Sequence, residues 1–183
     1  DRLQKAAVRI PTAPVDEVDT IDALKESARY CNRCDLHCRA TQTVFGEGPP
    51  NARVMIVGEQ PGDQEDLAGQ PFVGPAGRVL NEALSAAGLD RNTLYLTNAV
   101  KHFKYEPRGK RRIHQRPNTS EIEHCRWWLT QEINIVQPAL IVAMGVTALF
   151  SLTVQKDRLE TVRGQSMILN AQRTRFVTVQ PSY

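Results

Sequence analysis

Four cysteines carry the clearest potential for chemistry, and two of them stand at a metal-binding spacing. Cys31 and Cys34 form a C-x-x-C pair, which brings two thiolates within reach of one metal centre. Cys38 follows closely, and Cys125 lies far along the chain. The spacing suits both zinc and an iron–sulfur cluster. A thioredoxin-like redox pair is disfavoured because no strand precedes the motif, and an intracellular setting argues against a disulfide scaffold. The spacing alone leaves two interpretations open, metal or cluster ligands and structural thiols.

A second feature is a short basic segment that contains a histidine, His114. Between Lys101 and Arg116 the chain holds seven Lys or Arg residues and a single Glu, a formal charge of +6, whereas the whole chain carries +3. Charge concentrated in this way favours a phosphate backbone as partner, and a solvated basic loop is the alternative. Gly109 and the flanking prolines predict an exposed loop rather than a helix face.

Alternating strands and helices must position these residues. Short apolar, β-branched runs predict strands, and apolar side chains at helical spacing predict helices, with Pro75 at one helix start and Gly88 past its end. A capping box at 120–123 predicts the start of another helix. The predicted strands cover 53–58, 93–100, 139–144 and 175–179, and the predicted helices cover 21–30, 75–87, 120–136 and a stretch from about 146. This order predicts an α/β sandwich around a parallel sheet.

Length and composition fit a single domain. The chain has 183 residues, 41% of them hydrophobic, and no repeat or low-complexity tract, so one domain over 1–183 is expected, with 1–18 as a loose N-terminal segment. This composition excludes disordered, collagen-like and coiled-coil proteins. The longest apolar run, 139–150, is shorter than the roughly 20 residues of a membrane span, and the first residues contain no signal-peptide core. The sequence predicts a cytoplasmic protein with no membrane contact.

Polar residues follow the predicted strands. Glu59 and Gln60 follow the first strand, Asn98 lies in the second, and Gln180 follows the fourth. Ligands of such folds bind beyond the carboxyl ends of the strands, so these side chains are candidates for one site. None of the segments is a Walker A loop or a G-x-G-x-x-G fingerprint, so a nucleotide cofactor lacks support.

Taken together, these motifs resemble the uracil-DNA glycosylase superfamily, specifically its iron–sulfur branch, family four, and within that branch the UdgX group. The segments that carry the resemblance occur in the family order and span nearly all of the chain after residue 30: Cys31-x-x-Cys34, 45–48, 57–62, 69–77, 97–101, Cys125 and the terminal Pro-Ser-Tyr. The insertion Lys-Arg-Arg-Ile-His at 110–114 is the mark of UdgX. The resemblance implies a three-layer α/β/α sandwich with a central four-stranded parallel sheet, and a monomer.

The resemblance implies that the protein acts on uracil in DNA, either single-stranded or flipped out of a duplex. Phe72 is expected to stack on the extruded base, and Asn98 to read its edge, because an amide can donate to O4 and accept from N3–H. Glu65 resembles the position that excludes the thymine methyl group. The residues expected to contact uracil are Gly58, Gln60, Asp63, Glu65, Phe72 and Asn98.

His114 is the decisive residue of this resemblance. In UdgX the matching histidine attacks C1′ of the sugar once uracil departs, so the implied product is a covalent adduct formed in a single turnover. Glu59 and Gln180 complete the expected catalytic set, and the nearby cations predict a positively charged setting for the imidazole. The expected DNA contacts are Lys110, Arg111, Arg112 and Ser182. A conventional turnover glycosylase and a non-catalytic DNA-binding module are the alternatives.

The resemblance also implies a 4Fe–4S cluster with a structural role. Ordinary family-four enzymes have a cysteine where this chain has His102. The expected ligands are therefore Cys31, Cys34, His102 and Cys125. Cys38 is the rival fourth ligand, because thiolates bind such clusters more often than imidazole does.

The chain departs from the family at its last motif. The family sequence His-Pro-Ser is Gln180-Pro-Ser here. A glutamine can donate a neutral hydrogen bond to the departing uracil anion but cannot become cationic. We therefore expect uracil-DNA binding to survive better than the rate of bond cleavage. The resemblance also implies a further helix after Tyr183.

Overall fold

The computed structural model of the protein describes residues 19–154, 164, 166–168 and 175–179. The predictions made for 1–18, Gln180 and Ser182 lie outside these residues. The helices are α1 (Ile21–Ala28), α2 (Asp63–Ala68), α3 (Pro75–Ala86), α4 (Thr119–Val136) and α5 (Val146–Thr153), with short 3-10 turns at Asp35–Cys38 and Arg91–Thr93. The strands are β1 (Val54–Gly58), β2 (Tyr95–Asn98), β3 (Tyr105–Arg108), β4 (Arg111–His114), β5 (Leu140–Met144), β6 (Ser166–Ile168) and β7 (Arg175–Val179).

The main sheet has the strand order β2-β1-β5-β7-β6. Neighbouring strands from β2 to β7 pair in parallel, and β6 pairs with β7 in the antiparallel direction. The predicted four-stranded parallel sheet is therefore confirmed, with one further antiparallel strand at its edge. The sequence pattern missed β6 because three residues are too few to establish a period.

Side chains on the two faces of the sheet pack against different helices. Met55 and Val57 of β1 belong to one apolar cluster with residues of α1, α4 and α5. Ile56 points to the opposite face, where it packs with Leu80 and Leu84 of α3. This alternation follows from the two-residue period of a strand. The predicted α/β/α sandwich is confirmed. Among the described residues, none of the helices has the length and apolar character of a membrane span.

The start of α4 lies slightly earlier than the sequence predicted. The capping box joins Asn118 and Glu121: the Glu121 backbone N–H donates to the Asn118 side chain at 2.9 Å, and the Asn118 N–H donates to Glu121 Oε2 at 2.7 Å. Ser120, which the sequence placed at the cap, lies inside the helix. An asparagine caps a helix as well as a serine does, so both positions satisfied the pattern.

Most of the basic segment predicted as an exposed loop forms a β-hairpin. β3 and β4 pair antiparallel, with Tyr105 opposite His114. Gly109, the first turn residue, has a φ of 59°, the left-handed conformation that glycine adopts readily in two-residue hairpin turns. Pro107 lies in β3, where a two-stranded ribbon tolerates the missing N–H. The hairpin places His114 at the end of its second strand.

Candidate functional site

The carboxyl ends of β1 and β2 form the floor of the site. Gly58 pairs in register with Asn98, and both Asn98 and the ring of Phe72 are buried. A Cβ atom on Gly58 would lie 2.8 Å from Phe72 Cζ and would overlap Asn98 Oδ1. The glycine therefore lets an aromatic ring and an amide come together over the end of β1. The structure brings together Gly58, Phe72 and Asn98, three of the residues expected to contact uracil.

A buried ion pair lies directly behind Asn98. Lys101 Nζ is 2.5 Å from Glu132 Oε2, and both side chains are fully buried. The same ammonium donates to Thr97 Oγ1 at 2.6 Å and to the Asn98 carbonyl at 2.7 Å. Tyr95 also donates to Glu132, and burial raises the pKa of its hydroxyl. Lys101 was counted with the basic segment, but it is an internal residue that holds the end of β2.

The side chain of Gln60 fastens the hairpin to the end of β1. Its Nε2 donates to the carbonyls of Gln115 at 2.9 Å and Lys104 at 3.2 Å, and its Oε1 accepts from the Lys104 N–H at 3.0 Å. The amide expected to contact uracil is therefore occupied at the base of the hairpin. Because Gln115 directly follows β4, this contact also fixes the strand that carries His114.

Arg112 anchors the hairpin to α2 instead of pointing into solvent. Its Nε lies 2.5 Å from Asp63 Oδ1, its Nη1 lies 2.5 Å from Asp66 Oδ2, and Nη1 also donates to Thr41 Oγ1 at 3.2 Å. Arg112 was predicted to bind DNA and Asp63 to contact uracil, whereas here the two side chains pair with each other. Lys110 and Arg111 are exposed at and beside the hairpin turn.

Glu59 and His114 meet where the hairpin passes the end of β1. His114 Nε2 lies 3.5 Å from Glu59 Oε1, and Thr147 donates to Glu59 Oε2 at 2.6 Å. Half of the His114 side chain is exposed. The sequence predicted a positive setting for this ring. The Glu59 carboxylate lies beside the ring instead, with the Arg116 Nε 3.8 Å from the same carboxylate, and Arg112 is turned towards α2. A carboxylate in this position can orient an imidazole and offset positive charge on it.

Glu65 connects the loop after β1 with the loop before α3. Its buried carboxylate accepts from the Gly62 N–H at 3.1 Å and from the Gly74 N–H at 2.7 Å. Both oxygens are therefore engaged by backbone N–H groups, and the expectation that Glu65 excludes the thymine methyl group stays a prediction. The bond to Gly74 holds the segment that carries Phe72.

Comparisons with known proteins identify the family. The sequence pattern of the uracil DNA glycosylase superfamily matches residues 45–183. The chain belongs to this superfamily. It is 36% identical over 166 residues to the type-4 uracil-DNA glycosylase of Thermotoga maritima, covering 90% of this chain and 83% of the relative. The corresponding protein of Pyrobaculum aerophilum is 38% identical over 169 residues, covering 88% and 83%. Membership of the superfamily was predicted from the motifs and is confirmed.

Three of the four cysteines of this superfamily member share one apolar cluster with Trp128 and Phe45. Cys31 and Cys125 are buried and Cys34 is half-buried. The Trp128 indole N–H donates to Cys31 Sγ, and the Lys101 backbone N–H donates to Cys125 Sγ, both at 3.1 Å. Burial raises the pKa of the Cys125 thiol to about 12. By contrast, Cys38 is exposed, with its Sγ 3.5 Å from His37 Nε2.

His102 directly follows Lys101, whose backbone N–H contacts Cys125, and is a buried imidazole. Its Nε2 lies 3.0 Å from Thr43 Oγ1, whereas Nδ1 has no hydrogen-bond partner among the described residues. Burial, with a contribution from His37, lowers the pKa of His102 to about 4. Within the described residues, no three His, Cys, Asp or Glu side chains are arranged to hold a metal ion.

Two residues at the site of this glycosylase-superfamily chain were not identified from the sequence. Glu132 lies on α4, and its role follows only from its contact with Lys101. Arg91 belongs to a 3-10 turn and contacts the loop that carries Phe72. The one sequence feature that could have identified Glu132 is an acidic residue on the buried face of a helix. No sequence pattern pointed to Arg91.

Proposed function

We propose that the protein binds uracil in DNA, cleaves the N-glycosidic bond and becomes covalently linked to C1′ of the abasic sugar through His114. The observation that carries this proposal is the position of His114, half-exposed and 3.5 Å from Glu59 at the end of β1. Gly58, Phe72 and Asn98 adjoin the same strand end. A nucleophile, a carboxylate and a base-binding floor are thus grouped where α/β folds bind their ligands.

The proposed floor recognises uracil by shape and by hydrogen bonding. The Phe72 ring offers a face for stacking on a flipped base. The Asn98 amide can donate to O4 and accept from N3–H, a pattern that cytosine does not match. Lys101 fixes the main chain at Asn98, which supports a constant position of this amide.

The proposed reaction exchanges one bond at C1′ for another. The bond from C1′ to N1 of uracil breaks, its electron pair leaves with the base, and positive charge develops on the sugar. The unprotonated nitrogen of His114 then gives its electron pair to C1′, and the imidazole proton is finally lost, balancing the proton taken up by uracil. The Glu59 carboxylate, 3.5 Å from His114 Nε2, is proposed to offset positive charge on the sugar and then on the ring.

The hairpin anchors support attack by His114 rather than by water. Gln60 binds the base of the hairpin, and Arg112 binds α2 from β4 itself. A nucleophile held at two points loses little entropy on reaching its target. Exposed Lys110 and Arg111 at the tip are proposed to contact phosphates, so binding should weaken as salt rises.

Mass spectrometry of the intact protein after incubation with a uracil-containing oligonucleotide tests the proposal. We expect a species with the mass of protein plus oligonucleotide minus uracil, and no such species with a matched thymine oligonucleotide. The type-4 relatives favour a turnover glycosylase as the second candidate. Release of free uracil by unmodified protein without an adduct would support that candidate and refute ours. Equal binding of both oligonucleotides without reaction would indicate a DNA-binding module.

We further propose that Cys31, Cys34, Cys125 and His102 hold a 4Fe–4S cluster. Two N–H groups already point at cysteine sulfurs, and the unpaired Nδ1 of neutral His102 is an unused ligand atom. Each ligand of such a cluster binds a different iron, so the ligands stand further apart than those of a single ion. When bound, the cluster would join the segment that follows α1, the β2–β3 connection and α4, a structural role.

Substitution of the two rival ligands tests this assignment. Cys38→Ser is expected to leave the visible absorbance of the purified protein unchanged, because the Cys38 thiol is exposed. His102→Ala is expected to remove most of that absorbance together with bound iron. The opposite pattern, loss with Cys38→Ser and retention with His102→Ala, would contradict the assignment. Iron content per protein, measured in parallel, separates cluster loss from a spectral change.

A further inference from the structure

Phe72 has a backbone conformation that needs external support. Its φ is 56°, in the left-handed region that residues with a Cβ atom rarely adopt. Such a conformation persists only where the surroundings impose it, and it often marks a functional site. In this chain it turns the Phe72 ring towards Gly58 and Asn98. The groups that hold this backbone therefore control the position of the ring.

One guanidinium group binds both carbonyls of this segment. Arg91 Nη2 donates to the Pro71 and Phe72 carbonyls, each at 3.2 Å. Arg91 Nη1 donates to Asn81 Oδ1 on α3 at 2.7 Å. The planar fork of an arginine suits this arrangement, because three acceptors lie within reach of two nitrogens of fixed geometry.

Helix α3 also lies directly against the Phe72 carbonyl. A Cβ atom on Gly77 would overlap the Phe72 carbonyl, so α3 approaches this segment as closely as a glycine allows. Arg91 thus draws the carbonyl into one position while α3 blocks movement past it. Nothing in these contacts involves the base-binding face of the ring.

The geometry points to Arg91 as a positioning residue that acts through Phe72. It holds the 71–72 backbone in the left-handed bend and so places the ring beside Asn98, where a flipped uracil would stack. This inference rests on the proposed function. It extends that function by assigning part of the selectivity for uracil to a residue remote from the base.

A double-mutant cycle tests the inference. The ratio of dissociation constants is measured for oligonucleotides that carry thymidine or 2′-fluoro-2′-deoxyuridine, an analogue that binds without cleavage. Arg91→Gln is expected to lower the preference for uracil about tenfold, a change of ~1.4 kcal/mol, which is near the lower end expected for the loss of a single hydrogen bond from a charged group. In a Phe72→Ala background the same substitution is expected to have no further effect, because the ring that Arg91 positions is gone.

Two control variants separate the positioning role of Arg91 from the effect of its charge. Arg91→Lys keeps the charge but not the fork, so it is expected to resemble Arg91→Gln. Arg78→Gln removes an exposed arginine from α3 and is expected to keep the preference. Additive losses of preference in the cycle, or a wild-type preference for uracil in Arg91→Lys, would overturn the inference while leaving the proposed function in place. Wild-type protein without any preference for uracil would refute the proposed function, and the inference with it.

Discussion

His114→Ala is expected to leave no detectable covalent adduct with a uracil-containing oligonucleotide. The imidazole supplies the electron pair for the new bond to C1′, and a methyl group cannot. Half of the His114 side chain is exposed, and the ring packs 6.3 Å from the Phe103 ring between centroids, so its loss should disturb the fold little. Denaturing gels and the mass of the intact protein measure the adduct directly.

His124→Ala provides the matched control for this prediction. His124 is an exposed histidine on α4 whose Nδ1 contacts the Ser120 carbonyl at 2.7 Å, away from Glu59. Its replacement is expected to leave adduct formation at the wild-type level. An adduct that persists in His114→Ala, or that vanishes equally in both variants, would show that another group captures the sugar.

Lys101→Met is expected to lower the free energy of unfolding by about 3–5 kcal/mol, the range for removing one partner of a buried ion pair. The substitution leaves the Glu132 carboxylate without its cation in a fully buried place. Tyr95, Thr97 and the Gly46 N–H still donate to it, but they carry no charge to offset its own. Chemical denaturation monitored by tryptophan fluorescence measures the change.

Lys104→Met is the matched control, because it breaks an ion pair that is partly exposed. Lys104 Nζ lies 2.9 Å from Glu121 Oε2, and its removal is expected to lower the free energy of unfolding by at most about 1 kcal/mol. The double variant Lys101→Met with Glu132→Gln should recover part of the lost stability, since no buried charge remains. Equal destabilisation by Lys101→Met and Lys104→Met would contradict the internal role of Lys101.

The elements of the core could be predicted because each contains its own signal. The apolar run that became β1 is bounded by polar residues and ends at Gly58, and α3 begins at Pro75 as its pattern indicated. Buried parallel strands and amphipathic helices depend on which residues avoid water, a property that each short segment carries. The polar residues after β1 and β2 could be grouped for the same reason, because parallel strands end at one edge of the sheet.

The partners of the charged residues could not be predicted. Arg112 is separated from Asp63 by 49 positions, and Lys101 from Glu132 by 31. Charge and spacing alone made Arg112 and Lys101 members of one basic surface segment. In the folded chain Arg112 anchors β4 to α2, and Lys101 is an internal cation. Each of them pairs with a carboxylate from another element.

The sequence by itself determined the fold class, the superfamily and the strand ends where the candidate site lies, since all three depend on local pattern and on motifs in a given order. Only the tertiary structure decided that His114 faces Glu59, that Gln60 and Arg112 hold the hairpin, and that Arg91 supports Phe72. These contacts join segments far apart along the chain. A short-range pattern cannot specify them, because they form only when packing of the whole domain has brought the opposite charges and hydrogen-bonding groups together.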